Sequence, residues 1–294
     1  MRSVESPFPW LRVGHVTDAD ARTGCTVLRF DGPVVASGEV RGSAPATREF
    51  ALLDPTRSVQ SVDAVVLSGG SAYGLAAGSG VADSLEAEGV GFETKFGVVP
   101  IVVGMSLFDL GVGDASVRPT ATDGAAALAA CAPAFNVGAV GAGAGATVGK
   151  WRGPNHVRAA GIGWATARRD DLVVGALIAV NAVGDLVADA AGAAVADAVA
   201  DGSFDWPKAE SPLAENTTIG VVVTNGRFTK TQCRLLAEAG HDGLARAVIP
   251  AHGPADGDAL VAVAQPLADD AGDDLATARI LAAVAVEQAI ASLA

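Results

Sequence analysis

Short apolar runs alternate along the chain with alanine-rich stretches in which apolar residues recur at helical spacing. The apolar runs are rich in β-branched residues, which favours strands over helices. The predicted strands are Thr26–Phe30, Val34–Ala36, Asp63–Ser68, Val98–Val103, Val173–Val183, Thr217–Thr224 and Ala259–Ala264. The helical spacing predicts helices at Leu75–Glu88, Thr122–Ala132, Ala188–Ala200, Thr229–Ala247 and Asp273–Ala294. In the last of these, the side chains available for burial are Leu275, Ile280, Leu281, Val284 and Ile290.

Glycine and proline separate these elements. The segment Val137–Val148 reads as a glycine-rich strand or loop, and the pair Asn225–Gly226 is typical of a turn. The stretch Asp201–Asn216 is polar and acidic and carries two prolines, which predicts a linker that leads into the strand at Thr217. The length of 294 residues is compatible with one large domain or two modest ones.

Composition excludes several classes of function. The chain has 20 Lys and Arg against 33 Asp and Glu, a net charge of −13, so nucleic acid and anionic membranes would be repelled. Half of the residues are apolar but only 5% are aromatic, which predicts a core of small, closely packed side chains. No secretory signal or membrane span is evident, and three widely spaced cysteines indicate reduced thiols. We therefore expect a cytoplasmic protein without a membrane or nucleic-acid partner.

Familiar catalytic motifs fit poorly. The glycine-rich stretch that ends at Lys150 has Trp151 where a Walker loop needs Ser or Thr, so a phosphate site is not predicted. Its small residues instead predict that two backbone segments, or a backbone segment and a substrate, approach each other closely here. Ser71 lacks the final glycine of a nucleophile elbow. The four histidines do not occur at metal-ligand spacing, so no metal or cofactor is expected and the histidines are interpreted as surface or satisfied core residues.

The junction between the linker and the next strand offers a specific chemistry. A threonine hydroxyl is a weak nucleophile unless a base removes its proton, and an N-terminal threonine can use its own α-amine as that base. Cleavage between Asn216 and Thr217 would create such a group. Thr217 could itself perform the cleavage by an acyl shift from nitrogen to oxygen. The residue types alone leave open that Thr217 merely begins a strand and that Asp256 and Asp258 are solvated turn residues.

Eight segments stand out in order along the chain. They are LRVGHVTD from Leu11, TGCTV from Thr23, VVLSGGSAYGL from Val65, VPIV from Val99, FDLG from Phe108, GATVGK from Gly145, NTTIGVV from Asn216 and HDGLARA from His241. Together these segments resemble the DmpA-type aminopeptidase family, which includes L-aminopeptidase/D-alanine esterase, β-peptidyl aminopeptidases and nylon-oligomer endo-hydrolases.

The resemblance implies a fold and a set of site residues. The fold would be α/β, a four-layer αββα sandwich like that of N-terminal-nucleophile hydrolases and ornithine acetyltransferases. A single domain, 1–294, would be cut autocatalytically into a large chain, 1–216, and a small chain, 217–294. Thr217 would be the nucleophile, Lys150 and Asn181 would polarise the carbonyl and hold the oxyanion, and Asp256 and Asp258 would orient the Thr217 amine and hydroxyl.

Two further residues would lie beside the pocket, Phe108 and Tyr73. Where some members of the family carry a Tyr, this chain has Phe108, so a phenolic donor would be missing. The missing donor would make the reaction slower or change the substrate preference. It would not change the assignment of Thr217 as the nucleophile.

The implied activity is hydrolysis of amide, and possibly ester, bonds in small amine-bearing substrates without a metal or organic cofactor. The substrate remains open among α-aminoacyl, β-aminoacyl, D-aminoacyl and synthetic oligoamide compounds. A homo-oligomer, a tetramer by resemblance, is expected. Two other readings stay open: an acyltransferase of the ornithine-acetyltransferase type, and a binding protein that kept the fold and lost turnover.

Overall fold

The structure is a computed structural model, and it describes residues 1–205, 216–266 and 273–294. The strands are β1 Arg2–Glu5, β2 Leu11–Asp18, β3 Thr23–Val40, β4 Ala46–Arg48, β5 Ser61–Ser68, β6 Phe92–Thr94, β7 Gly97–Val99, β8 Val102–Ser106, β9 Ala134–Val137, β10 Thr147–Val148, β11 Arg158–Ala159, β12 Gly161–Arg169, β13 Leu172–Asn181, β14 Asp185–Leu186, β15 Thr217–Arg227, β16 Val248–Ile249 and β17 Ala259–Gln265. The helices are α1 Ala77–Ala87, α2 Ala121–Ala129, α3 Ala190–Asp201, α4 Lys230–Ala247 and α5 Leu275–Ala291.

One hydrogen-bonded path of strands runs through the molecule in the order β12-β13-β15-β17-β3-β5-β8-β4, with β2 also paired to β3. The long strand β3 belongs to both halves of this path: its first part pairs with β2 and β5, and its second part pairs with β17 and, at Val34 and Val35, with the start of β5. The pairing with β5 shifts register between Arg29 and Val34. The path therefore divides at this irregularity into two sheet halves.

Three separate apolar cores show how the halves are layered. Alternate residues of both halves, such as Leu28 in β3 and Val221 in β15, share one core, which places the two halves face to face. The opposite side chains of β13, β15 and β17 pack with α4 and α5 in a second core, and those of β3, β5 and β8 pack with α1 and α2 in a third. The order of layers is helix, sheet, sheet, helix, so the predicted αββα sandwich is confirmed.

Small side chains set the spacing of the outer helical layer. A Cβ atom on Gly243 of α4 would lie 2.1 Å from the carbonyl oxygen of Ala283 in α5, so glycine is needed for this approach. The alanine-rich face of α5 packs on α4, β12 and β13. Ile280 points away from that face and is 65% exposed, so its predicted burial is wrong.

The structure corrects several predicted boundaries. The predicted strand Val98–Val103 is two strands, because Pro100 lies between β7 and β8 and has no N–H to donate to a ladder. Asn225 and Gly226 lie inside β15 rather than in a turn. The segment read as a glycine-rich strand contains a short 3-10 turn, Gly141–Gly143, and the predicted helix at Leu75 begins with another, Ser71–Ala76.

The predicted linker lies partly outside the described residues. Helix α3 extends to Asp201, and residues 206–215 are not described. Asn216 is again described and forms an isolated parallel bridge with Asp256. Across the described ranges, no helix has the length and apolar character needed to cross a membrane.

Candidate active site

The end of β13 and the beginning of β15 place two of the predicted site residues side by side. These strands are antiparallel, and Asn181 lies directly opposite Thr217 in their register. Both residues are buried, Asn181 completely and Thr217 with 4% of its surface exposed. The β-branched run after Thr217 fills the core between the sheet halves, so the strand that carries Thr217 is fixed by packing along its length.

Lys150 reaches this pair from a short 3-10 turn, Lys150–Arg152. Its Nζ donates hydrogen bonds to Oδ1 of Asn181 at 2.8 Å and to the Asn181 carbonyl oxygen at 3.1 Å. The same Oδ1 accepts from the backbone N–H of Thr147 at 3.0 Å. The Asn181 amide nitrogen donates to the carbonyl oxygen of Phe108 at 2.7 Å. Asn181 therefore orients the ammonium group beside the strand end where Thr217 begins.

A buried carboxylate holds the turn that carries Lys150. Asp185 accepts hydrogen bonds from Trp151 Nε1 at 2.8 Å and from Arg152 Nε at 2.7 Å, and Arg158 lies within 3.0 Å of it. Burial would raise the pKa of Asp185, but the hydrogen bonds from Arg152 and Trp151 outweigh it and leave the pKa below its ordinary value. Gly149 precedes Lys150 with φ of 79°, and its Cβ would lie 2.5 Å from a carbonyl oxygen of His156, so the turn needs glycine here.

The peptide bond between Asn216 and Thr217 lies in the centre of this arrangement. Its carbonyl oxygen accepts hydrogen bonds from Thr217 Oγ1 at 2.5 Å and from the backbone N–H of Gly257 at 2.9 Å. Two donors on one carbonyl oxygen polarise the C=O bond and would stabilise a negative charge that develops on that oxygen. A Cβ on Gly257 would lie 2.9 Å from Thr217 Oγ1 and 2.3 Å from the carbonyl oxygen of Ala44, so glycine makes room for the hydroxyl.

The loop before β17 contributes both predicted aspartates, and each is only 1% exposed. Asp258 Oδ1 accepts from the backbone N–H of Thr218 at 2.7 Å. Asp256 Oδ2 accepts from the backbone N–H of Gly253 at 2.7 Å. Burial, reinforced by the charge of Asp258, raises the pKa of Asp256 to about 6. The interpretation of Asp256 and Asp258 as solvated turn carboxylates is therefore wrong.

Two side chains that were not predicted as site residues, His252 and Asp109, lie next to these residues. His252 Nδ1 lies 2.8 Å from Asp258 Oδ2. Asp109 follows Phe108 and accepts from the Gly70 backbone N–H at 2.6 Å and from Thr23 Oγ1 at 2.7 Å. Burial raises the pKa of Asp109. His252 lies six residues before Asp258 in one short loop, but this proximity in sequence does not by itself predict a contact.

The predicted pocket residues occupy different environments. The Phe108 carbonyl oxygen binds Asn181 directly. Tyr73 is 64% exposed on the 3-10 turn Ser71–Ala76, and the Arg118 guanidinium lies over its ring, 4.2 Å from the ring centre. The contact between Asp109 and Gly70 links the Phe108 segment to the start of that turn. Within the described residues, Phe108 contacts the site directly, and the segment of Tyr73 is connected to it through the contact between Asp109 and Gly70.

Neither of two surface depressions contains a predicted site residue. One lies between the Phe30 region and residues 90–93, and the other borders Trp10 and Arg227. Among the described residues, no cluster of three or more His, Cys, Asp or Glu side chains could hold a metal ion. Cys25, Cys131 and Cys233 carry free thiols.

Comparisons with known proteins identify relatives of this chain. The model of Peptidase family S58 matches residues 9–292. A protein named an uncharacterized aminopeptidase of Mycobacterium tuberculosis is 43% identical over 278 residues, which cover 86% of this chain and 79% of that protein. A 6-aminohexanoate-oligomer endohydrolase of Paenarthrobacter ureafaciens is 32% identical over 272 residues, which cover 87% of this chain and 73% of the enzyme.

Solved structures match the fold over nearly the whole chain. An L-aminopeptidase D-Ala-esterase/amidase from Ochrobactrum anthropi, described as a new variant among the Ntn hydrolase fold, superposes with a TM-score of 0.73 at 19% identity. The match covers 100% of this chain and 87% of that one. A β-aminopeptidase from a Burkholderia species superposes with a TM-score of 0.69 at 21% identity, covering 99% and 87%.

Proposed function

This chain belongs to peptidase family S58, and on that premise we propose that it is a threonine hydrolase that cuts its own chain between Asn216 and Thr217. The new N-terminal Thr217 then hydrolyses amide bonds of small amine-bearing substrates. The observation that carries the proposal is the contact of Thr217 Oγ1 with the Asn216 carbonyl group, which also accepts the Gly257 N–H.

Self-cleavage proceeds in two steps in this proposal. Thr217 Oγ attacks the carbonyl carbon of Asn216, and the charge that develops on the carbonyl oxygen is stabilised by the Gly257 N–H. The hydroxyl proton passes to a carboxylate of the loop that carries Asp256 and Asp258, and it is returned to the nitrogen of Thr217 when the C–N bond breaks. The resulting ester is hydrolysed by water, which yields a carboxylate on Asn216 and restores the Thr217 hydroxyl.

Hydrolysis of a substrate then reuses the same hydroxyl. The freed α-amine of Thr217 removes the hydroxyl proton, which an amide nitrogen could not do. Lys150, held by Asn181 beside the strand end, places a positive charge where the substrate carbonyl would develop negative charge. Because Thr217 is only 4% exposed in the uncut chain, Asn216, which is bonded to it and equally buried, must leave the site before a substrate can enter.

The substrate class follows from what the relatives share. Their names include aminopeptidase and 6-aminohexanoate-oligomer endohydrolase, and the substrates these names describe carry an amine and a scissile amide. We propose the same general class here. We also propose a mature homo-oligomer in which each single domain is made of the 1–216 and 217–294 chains, which light scattering of the matured protein tests.

Substitutions at two adjacent threonines test the nucleophile. Thr217→Ala should leave an uncut, inactive chain, and Thr217→Ser, which keeps a hydroxyl, should still be cut. Thr218→Val is the matched control, because the Thr218 hydroxyl is buried without a hydrogen-bond partner among the described residues and the substitution keeps the backbone N–H that binds Asp258. The control should be cut and active.

Activity is measured on anilides of α-L-, α-D- and β-amino acids and on a 6-aminohexanoate oligomer. Release of free acid from at least one of these by the wild type, and from none by Thr217→Ala, is the expected result. A Thr217→Ala protein that is still cut and active contradicts the assignment. Amide formed in preference to acid in the presence of an amine acceptor would instead indicate an acyltransferase, and cut protein that turns over no substrate would indicate a binding protein.

A further inference from the structure

We propose that His252 is a positioning residue that holds Asp258 against the strand that begins at the nucleophile. The inference rests on the proposed function, because the strand matters only if Thr217 performs the chemistry. His252 lies in the loop between β16 and β17, and its side chain is 16% exposed. The residue lies close to the site without touching the peptide bond between Asn216 and Thr217 in any described contact.

A short chain of hydrogen bonds connects His252 to that strand. His252 Nδ1 lies 2.8 Å from Asp258 Oδ2. The other carboxylate oxygen of Asp258 accepts from the backbone N–H of Thr218 at 2.7 Å. Both oxygens of Asp258 are therefore engaged, one by the histidine and one by the residue next to Thr217. If the histidine contact is lost, the carboxylate is free to rotate away from Thr218.

The second ring nitrogen anchors the other side of the imidazole. His252 Nε2 is 3.3 Å from the carbonyl oxygen of His241. The ring is therefore held between the His241 carbonyl group on one side and Asp258 Oδ2 on the other, and a rotation of the ring would break both contacts.

The backbone of His252 is held in an unusual conformation for this contact. Its φ of 57° lies in the left-handed region, where a residue with a side chain is uncommon and where Asn, Asp and His are enriched. The ring packs edge-on against the ring of His241, with 4.9 Å between ring centres. Burial lowers the pKa of His241 to about 2, so the supporting ring carries no charge at neutral pH. Backbone and neighbour together aim Nδ1 at Asp258.

The test uses two substitutions at this position. His252→Ala removes the contact. His252→Asn can keep it, because its side-chain N–H can replace Nδ1–H and asparagine tolerates the left-handed backbone. Pro254→Ala, an exposed change in the same loop, is the control. Each variant is followed as the full chain for its rate of self-cleavage and, once cut, for kcat and KM on an anilide that the wild type hydrolyses.

We expect His252→Ala to slow self-cleavage and to lower kcat by about 10- to 100-fold, the rate equivalent of losing one hydrogen bond to a charged group. KM should change little, since His252 does not contact the substrate. His252→Asn should recover most of both rates, and Pro254→Ala should match the wild type. This rescue distinguishes positioning from a merely structural role.

The outcomes separate this inference from the proposed function. If the wild-type chain is cut, and His252→Ala is cut and hydrolyses substrate at the wild-type rates, the role of His252 is overturned. Thr217 remains the nucleophile in that case. If His252→Ala does not fold, the His252→Asn variant provides the test. A folded His252→Asn protein whose self-cleavage rate and kcat are a tenth of the wild-type values or less also overturns the role of His252. A wild-type chain that stays uncut overturns the proposed function and this inference together.

Discussion

The backbone N–H of Gly257 donates a hydrogen bond to the carbonyl oxygen of Asn216 at 2.9 Å. This contact joins the loop before β17 to the peptide bond that precedes the nucleophile. The loop therefore does more than carry Asp256 and Asp258, because its backbone also polarises the bond to be cut. The absence of a side chain at Gly257 is part of the arrangement, since the Thr217 hydroxyl fills the space a Cβ would need.

Gly257→Ala should slow self-cleavage by at least about tenfold, because the added Cβ displaces either the hydroxyl or the N–H that the oxyanion needs. The rate is measured by the conversion of uncut chain to fragments over time. Gly111→Ala is the control, because a Cβ there meets no atom within 4 Å. Equal cleavage rates in the two variants would refute the role given to the Gly257 N–H.

Asp256→Asn should change stability in a pH-dependent way. In the folded chain burial and the Asp258 charge raise the pKa of Asp256 to about 6 from 3.8. A raised pKa means that the neutral form favours folding, so this contribution is complete below about pH 4 and is lost as the pH rises through about 6. Removing the charge should therefore stabilise the protein by up to about 3 kcal/mol at pH 8 and by little at pH 4.

The measurement is the free energy of unfolding in urea at both pH values, with Thr217→Ala as the background so that every chain stays uncut. Asp83→Asn, at an exposed position, is the control and should show no such gain. An Asp256→Asn chain that gains as much at pH 4 as at pH 8 would show that ionisation of Asp256 is not the cause.

Lys150→Met should lower kcat for amide hydrolysis by about 100- to 1000-fold, because it removes the charge that faces the developing oxyanion while keeping a side chain of similar length. The kinetics are measured on matured protein with the best substrate of the anilide panel. Lys95→Met, on the exposed turn between β6 and β7, is the matched control. A fully active Lys150→Met enzyme would remove Lys150 from the mechanism.

Asp185→Asn should lower both stability and turnover. The Asp185 side chain is fully buried and binds Trp151, Arg152 and Arg158, so loss of its charge removes the carboxylate that binds Arg152 and one of those that bind Arg158. We expect a loss of about 2 kcal/mol in the free energy of unfolding, together with reduced kcat as the turn carrying Lys150 loosens.

Asp31→Asn provides the comparison for Asp185→Asn. Its ion pair with Arg12 is 38% exposed on both sides and is screened by solvent, so its loss should change the free energy of unfolding much less than the loss of the Asp185 charge. Similar losses in the free energy of unfolding in the two variants would mean that the buried cluster around Asp185 contributes no more to stability than a surface ion pair.

The strand that carries Thr217 could be predicted because its β-branched run is a local property of the sequence. The turn with Asp256 and Asp258 before a predicted strand was local in the same way, but the role of the two carboxylates was proposed only by resemblance, because local patterns favour solvated side chains in a turn. The strand β12 was missed because glycine and alanine interrupt its few strand-favouring residues, so no continuous β-branched run marks it. Burial by α5 from the distant end of the chain stabilises β12 instead.

The parts of the site that escaped prediction depend on contacts between distant residues. Asn181 was proposed only by resemblance, and its position opposite Thr217 depends on the register of β13 and β15. The Gly257 N–H could not be proposed because it is a backbone group whose partner lies 41 positions away. His252 carried no motif, and its contact with Asp258 depends on a left-handed backbone that sequence patterns do not reveal for histidine.

The most direct test of the account is the intact mass of the purified wild-type protein under denaturing conditions. Self-cleavage after Asn216 predicts that the 29.1 kDa chain gives fragments of roughly 21 and roughly 8 kDa, the smaller one beginning with a free Thr217. A single uncut chain of 29.1 kDa, from protein that nonetheless hydrolyses amides, would contradict the claim that Thr217 becomes an N-terminal nucleophile.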